Sequence, residues 1–212
     1  MIVLDLETSG LFPEENGIWQ LGAIDLDNPT NCFLEECRLD DDEKYQPQVL
    51  QVTGRTESDL RDKNKQSQKQ LLESFGKWLS NIKNKTLICQ IPSFDIAYLG
   101  VKSRKHKVKL YLSAPLDLHT IAAAKYYSIN KKFSLKQDGS ASNFSLGNIL
   151  AFCGIKDERI KVNNATKQII KEGTPHNALE DCKLTAECFS RIVYGKELFE
   201  EFKGQSIPDY LR

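Results

Sequence analysis

Along the first ten residues, MIVLDLETSG, apolar and acidic positions alternate in the manner of a β-strand. With a period of two, Asp5 and Glu7 share one face while Leu4 and Leu6 turn into the core. Two further β-rich runs follow, GIWQLGAIDLD (17–27) and NCFLEECRL (31–39), joined by Asn28-Pro29-Thr30. They predict a hairpin beside the first strand, so the chain begins as a three-stranded antiparallel ribbon. The acidic run Asp40 to Glu43 reads as a solvated loop. Over 68–82 the period changes, and Leu71, Leu72, Phe75, Trp78, Leu79 and Ile82 fall at the spacing of a helix with one buried stripe. TLICQI (86–91) predicts a buried strand, and Pro92-Ser93 starts the next helix with Asp95 in its first turn.

The segment KSRKHKVK (102–109) is the densest basic cluster in the chain. It reads first as a solvated face and, failing that, as a phosphate-contacting patch. A strand near 108–116 leads to the Ala-rich helix DLHTIAAAKYY (117–127), on or near which His119 packs without a metal-binding partner. A polar connection spans Lys131 to Ser142, and SLGNILAFCG (145–154) makes a short helix capped by Ser145 and stopped by Gly154. TPHNALEDCKLTAECFSRIV (174–193) predicts a long amphipathic helix opened by Pro175, with His176 at its mouth and Asp181 about a turn inside. Leu198, Phe199 and Phe202 are enough for one more packed helix ending at Pro208.

Composition narrows the class. At 212 residues and 40% hydrophobic, the chain suits one α/β domain, alone or with a small appendage. Its 29 basic and 29 acidic residues cancel, so any nucleic-acid site has to be a local patch or a metal. The six cysteines form no C-x-x-C pair and four fall inside apolar patterns, which favours buried thiols and a reducing compartment over disulfides or zinc. There is neither a basic-then-apolar leader nor a run of 18 apolar residues, so the expected location is the cytosol, away from membranes.

The acids carry the candidate chemistry. Two carboxylates side by side on a buried strand repel unless a cation lies between them, and a hard divalent metal is the natural one. Each candidate also has a plain structural reading. Asp5 and Glu7 could cap the turn at Thr8-Ser9-Gly10, Asp95 could pair with its helix dipole, His176 could neighbour a helix cap, and Asp181 could be a helix-surface acid. Taken together, those readings require accidents in the right order on the right elements.

That order resembles the DEDDh exonucleases, the family of the proofreading subunit of bacterial DNA polymerase III, RNase T and oligoribonuclease. The first motif stands as DLETSG with the continuation GIWQLGAI, the second as SFD at 93–95, and the third as HNALED with His and Asp five apart. QVLQVTGRTESDL (48–60) is similar to the family's connection between third strand and first helix, and SLGNIL to the helix before its third motif. The resemblance covers roughly residues 1–194. Two positions depart from it: Gln90-Ile91 replaces the frequent His-Asn ahead of the second-motif Asp, and Cys182 replaces a common Ala.

The resemblance implies a ribonuclease H-like α/β fold, a mixed sheet flanked by helices on both faces. The exonuclease domain would span 1–194, with 195–212 a helical tail packed on it. Asp5, Glu7, Asp95 and Asp181 would hold two Mg²⁺ or Mn²⁺ ions, Asp5 bridging both, and His176 would be the general base. The implied activity is a metal-dependent 3′-to-5′ exonuclease on single-stranded DNA or RNA, releasing nucleoside monophosphates. Its partner is nucleic acid with a free 3′ end, with a polymerase or nuclease complex as a possible host. The alternative is a non-catalytic subunit of the same fold that binds nucleic acid or a partner.

Overall fold

In the computed structural model, which describes residues 1–163, 166 and 168–212, the opening strand β1 (Ile2–Thr8) is the centre of a mixed sheet. On one side it pairs antiparallel with β2 (Ile18–Asp25), and β2 pairs with β3 (Cys32–Glu36). On the other it runs parallel to β4 (Leu87–Cys89), and β4 to β5 (Leu116–Asp117), giving the order β3-β2-β1-β4-β5. The period-two alternation of β1 then divides the core. Ile2, Leu4 and Leu6 face α3 (Gln68–Ser80) and α4 (Pro92–His106), where they meet Leu71, Leu72, Phe75 and Leu99. Val3, with Ile24 and Ile88, faces α5 (Leu118–Asn130), α6 (Leu146–Phe152) and α7 (Ala178–Tyr194). Each fully buried Leu or Phe of these layers stabilises the fold by about 1.5–3 kcal/mol. The fold class is the expected α/β one, a mixed sheet with helices on both faces.

The connection after β3 folds into two short helices, α1 (Pro47–Thr53) and α2 (Glu57–Leu60). A small hairpin, β6 (Lys161–Val162) and β7 (Ile169–Lys171), precedes α7. Five of the six cysteines are buried free thiols and Cys32 is exposed. Among the described residues no helix is long and apolar enough to cross a membrane.

Four expectations are corrected. The predicted strand at 108–116 shrinks to two residues. Val108, Leu110 and Leu112 do pack on the core in alternation, but β4 is only three residues long and gives them no ladder to join before Leu116. The acidic run and the basic run are solvated only in part, because three residues of each pair with one another. Lys102 and Glu43 are buried and paired at 2.6 Å, while Lys105 sits 2.8 Å from Asp40 and from Asp42. The cause is helical spacing, since Lys102, Lys105 and His106 at i, i+3 and i+4 share the face of α4 that meets this loop.

The last long helix does not begin at Pro175. Asn177 caps it, its side-chain oxygen accepting from the Leu179 and Glu180 N–H groups, so His176 precedes the helix in non-helical chain. The tail forms two short 3-10 turns, Glu200–Phe202 and Asp209–Leu211, in place of the expected helix, since Gly204 and Pro208 interrupt it. It is held by a buried pair. Arg191 Nε donates to Glu187 at 2.7 Å and its other nitrogens to the Cys153 and Phe202 carbonyls, while Glu187 accepts the Leu198 and Phe199 N–H groups.

Candidate active site

β1 delivers Asp5 and Glu7 on the face opposite Leu4 and Leu6, toward α7. Two residues of β2 let α7 come close enough to bring Asp181 to them. Gly22 lies opposite Asp5 in the ladder, and a Cβ there would stand 2.5 Å from the carbonyl carbon of Ala178. Gln20, opposite Glu7, accepts the Ala178 N–H at 2.8 Å and donates to Glu36 at 3.1 Å, pinning the first residue of the helix. Cys182 fills the remaining gap, its thiol 3.2 Å from the Gly22 carbonyl oxygen. From the other side of the sheet, the first turn of α4 carries Asp95 round the end of β4, where its carboxylate faces the Leu6 backbone and the Cys89 thiol.

The four predicted acids therefore converge. Glu7, Asp95 and Asp181 are buried and Asp5 is partly exposed. Their proximity shows in their proton affinities. Burial, followed by the charges of Asp181, Asp95 and Glu7, holds the Asp5 carboxyl well above the usual range. Burial and Asp181 push Glu7 up to about 8, and burial pushes Asp95 up to about 7. Asp181 is raised by burial, against the pull of Arg159 and His176.

His176 joins the group, with Nδ1 3.5 Å from an Asp181 oxygen. Its Nε2 lies 3.0 Å from the Ile160 carbonyl oxygen. A carbonyl can only accept, so Nε2 carries the hydrogen and Nδ1 is the atom offered to the acids. His176 N–H also donates to Val52 in α1 at 3.0 Å, which fixes the loop ahead of the helix. His119 stands apart, bonded to the Ser142 hydroxyl at 2.8 Å.

Arg159 is a further member, one that no motif or spacing identifies. Its guanidinium bridges Asp157 at 3.0 Å and Asp181 at 3.1 Å, and its charge opposes the repulsion at Asp5, Glu7 and Asp181. No periodicity or spacing in Asp157-Glu158-Arg159 marks it, because its partner lies 22 residues away. Two hollows flank the acids. Asp5 and Asp95 open on one of ≈ 510 Å³ with Leu11, Phe94 and Tyr98, while His176 and Arg159 line another of ≈ 390 Å³. Gln90 and Ile91, the departure from the family pattern, both line the first.

A cluster of buried carboxylates carrying excess negative charge is the donor set of a hard divalent cation. Donor atoms of Glu7, His176 and Asp181 all lie within 4.8 Å of one another. The residues thus fit a metal, and the imidazole stands close enough to be counted among its possible ligands.

Comparison with known proteins accords with this geometry. A family model described as Exonuclease (RNase_T) matches residues 2–189. No curated protein matches the chain. Among solved structures, the cell-death related nuclease CRN-4 superposes with a TM-score of 0.68 at 14% identity, covering 92% of this chain and 64% of that one. The nuclease domain of 3′hExo, a DEDDh family member bound to rAMP, gives 0.63 at 15% identity, covering 98% and 95%. E. coli exonuclease I in complex with a dT13 oligonucleotide gives 0.61 at 19%, covering 87% of this chain but only 39% of that one. The chain thus spans less than two thirds of CRN-4 and well under half of exonuclease I. With the family model matched over most of its length, the chain belongs to the exonuclease family, and it carries the landmarks of the DEDDh pattern in order.

Proposed function

We propose that this protein is a metal-dependent 3′-to-5′ exonuclease that hydrolyses the last phosphodiester of single-stranded DNA or RNA and releases nucleoside monophosphates. The convergence of Asp5, Glu7, Asp95 and Asp181, with His176 Nδ1 at the edge of the cluster, carries this reading. A non-catalytic subunit of the same fold would have no need of four acids gathered at one site. In this reading the four acids hold two Mg²⁺ or Mn²⁺ ions, which would offset negative charge on the phosphate and on the leaving oxygen. Oligonucleotide and nucleotide in the structures of its neighbours support a nucleic-acid substrate.

His176 takes a proton from the attacking water as the new P–O bond forms and the bond to the 3′ oxygen breaks. The hydrogen bond from Nε2–H to Ile160 serves that role by keeping the Nδ1 lone pair on the side of the acids. Ile160 is held in turn through its N–H to Thr174 at 2.9 Å, so the acceptor that sets the tautomer is itself fixed.

The test is digestion of end-labelled single strands with Mg²⁺, with Mn²⁺ and with chelator. Ladders shortened from the 3′ end only when metal is present are expected, and cleavage that survives chelation defeats the assignment. His176→Ala separates base from ligand. A general base predicts loss of most of the single-turnover rate with Mn²⁺ affinity kept in calorimetry, whereas loss of affinity makes His176 a ligand.

A further inference from the structure

The exonuclease reading leaves unexplained an exposed aromatic face on the outer side of α5. Tyr127 and Phe133 stack with ring centroids 4.8 Å apart and planes inclined by 28°, yet they are 45% and 60% exposed, and Leu135 beside them is 53% exposed. Together with Ala123, His119 and Ser142 they line an open hollow of ≈ 580 Å³. Holding apolar rings in water has no folding rationale, and a contiguous patch of this kind marks a contact surface.

Its position and charge point to the occupant. The far end of the hollow touches the catalytic side, because His119 N–H donates to the Gln90 carbonyl at 3.3 Å and Gln90 lines the cavity of Asp5 and Asp95. From His119 to Tyr127 the helix covers about 12 Å, the length of a few nucleotides. Lys131, Lys132 and Lys136 border the rings, are exposed, and form no ion pair among the described residues. Lysines around stacked rings match the two demands of a single strand, whose bases offer π-faces and whose backbone is anionic.

We propose that Tyr127, Phe133 and Leu135, with these lysines, form a stacking platform for the single-stranded segment a few nucleotides upstream of the 3′ end. This deepens the exonuclease assignment and rests on it. The platform would favour longer strands over dinucleotides and would not read sequence, since every base can stack.

The test compares the full-length protein with Phe133→Ala and Tyr127→Ala on a dinucleotide and a ten-nucleotide strand, in DNA and in RNA. Because both rings are exposed, neither change threatens the fold. The expected result is a KM for the longer strand raised about tenfold or more, an unchanged dinucleotide rate, and recovery in Phe133→Trp. An unchanged KM for the longer strand overturns the platform. Binding is also measured by fluorescence anisotropy in the Asp5→Asn background, so the result does not depend on turnover. If the protein cleaves nothing, the exonuclease reading fails, and anisotropy still decides the platform. Tighter binding of the longer strand that Phe133→Ala abolishes supports it. Equal binding by both proteins overturns it and leaves this face to a protein partner.

Discussion

Asp5 sits where four carboxyl groups compete for too little positive charge. In the metal-free protein Glu7 and Asp95 retain protons up to about 8 and about 7 respectively. Their affinities are raised above the unfolded values, so the stability they contribute is fully present below about pH 4 and is lost as pH rises through those values. Thermal melts without metal should therefore drop by several degrees between about pH 5 and pH 8. Asp157 works the other way in a different window. It is partly buried, but bonding to Arg159 pulls it well below its usual value, so its contribution is lost only under acid conditions. Asp5→Asn should abolish cleavage and melt no lower than the wild type, with the advantage widening toward pH 8. An Asp5→Asn protein that unfolds would make this residue a structural one. Arg159→Gln removes the cation beside Asp181 and should tighten Mn²⁺ binding severalfold in calorimetry, since a bound cation no longer competes with the guanidinium for the acids. Weaker binding would show that Arg159 holds Asp181 in place and does not compete with the ion. The five residues singled out by motif spacing come together in the fold. Arg159, whose partner is distant in the chain, has no such spacing to mark it.

The strands and helices were legible where a period ran long enough to be read. The seven residues of β1 and the stripe of α3 follow their patterns, and the cap at Ser145 is local chemistry. Expectations failed where an element depends on a distant partner. The segment at 108–115 alternates like a strand but has no neighbour to pair with, and the tail is shaped by Glu187 and Arg191 on another helix. Close approach is likewise invisible in one dimension, since nothing in GIWQLGAI says that Gly22 meets the start of α7. Gly22→Ala should push that helix away from β2, costing about 1–3 kcal/mol in denaturant unfolding. Activity should fall much further than stability, because Asp181 moves with the helix. Activity retained in proportion to folded protein would mean that the site tolerates the shift.

For the molecule as a whole, a net charge of zero would suggest indifference to nucleic acid. The folded chain redistributes that charge. Of the basic run at 102–109, which reads from sequence first as a solvated face and second as a phosphate patch, Lys102 and Lys105 are consumed internally by Glu43, Asp40 and Asp42. Lys102 is sealed from solvent and Lys105 is shared among three acids. The consequence concerns counterions. A lysine already paired within the protein displaces none from a phosphate, so Lys102 and Lys105 add almost nothing to the ionic-strength dependence of binding. If the three unpaired lysines near Phe133 carry that dependence, log affinity for a single strand should fall with log salt at a slope of about −2. Lys105→Gln should leave that slope unchanged while loosening the fold, and Lys132→Gln should flatten it. A slope steepened to about −3.5, as five contributing lysines would give, would mean that the acids release Lys102 and Lys105 when nucleic acid arrives, turning an internal ion-pair network into a substrate-gated one.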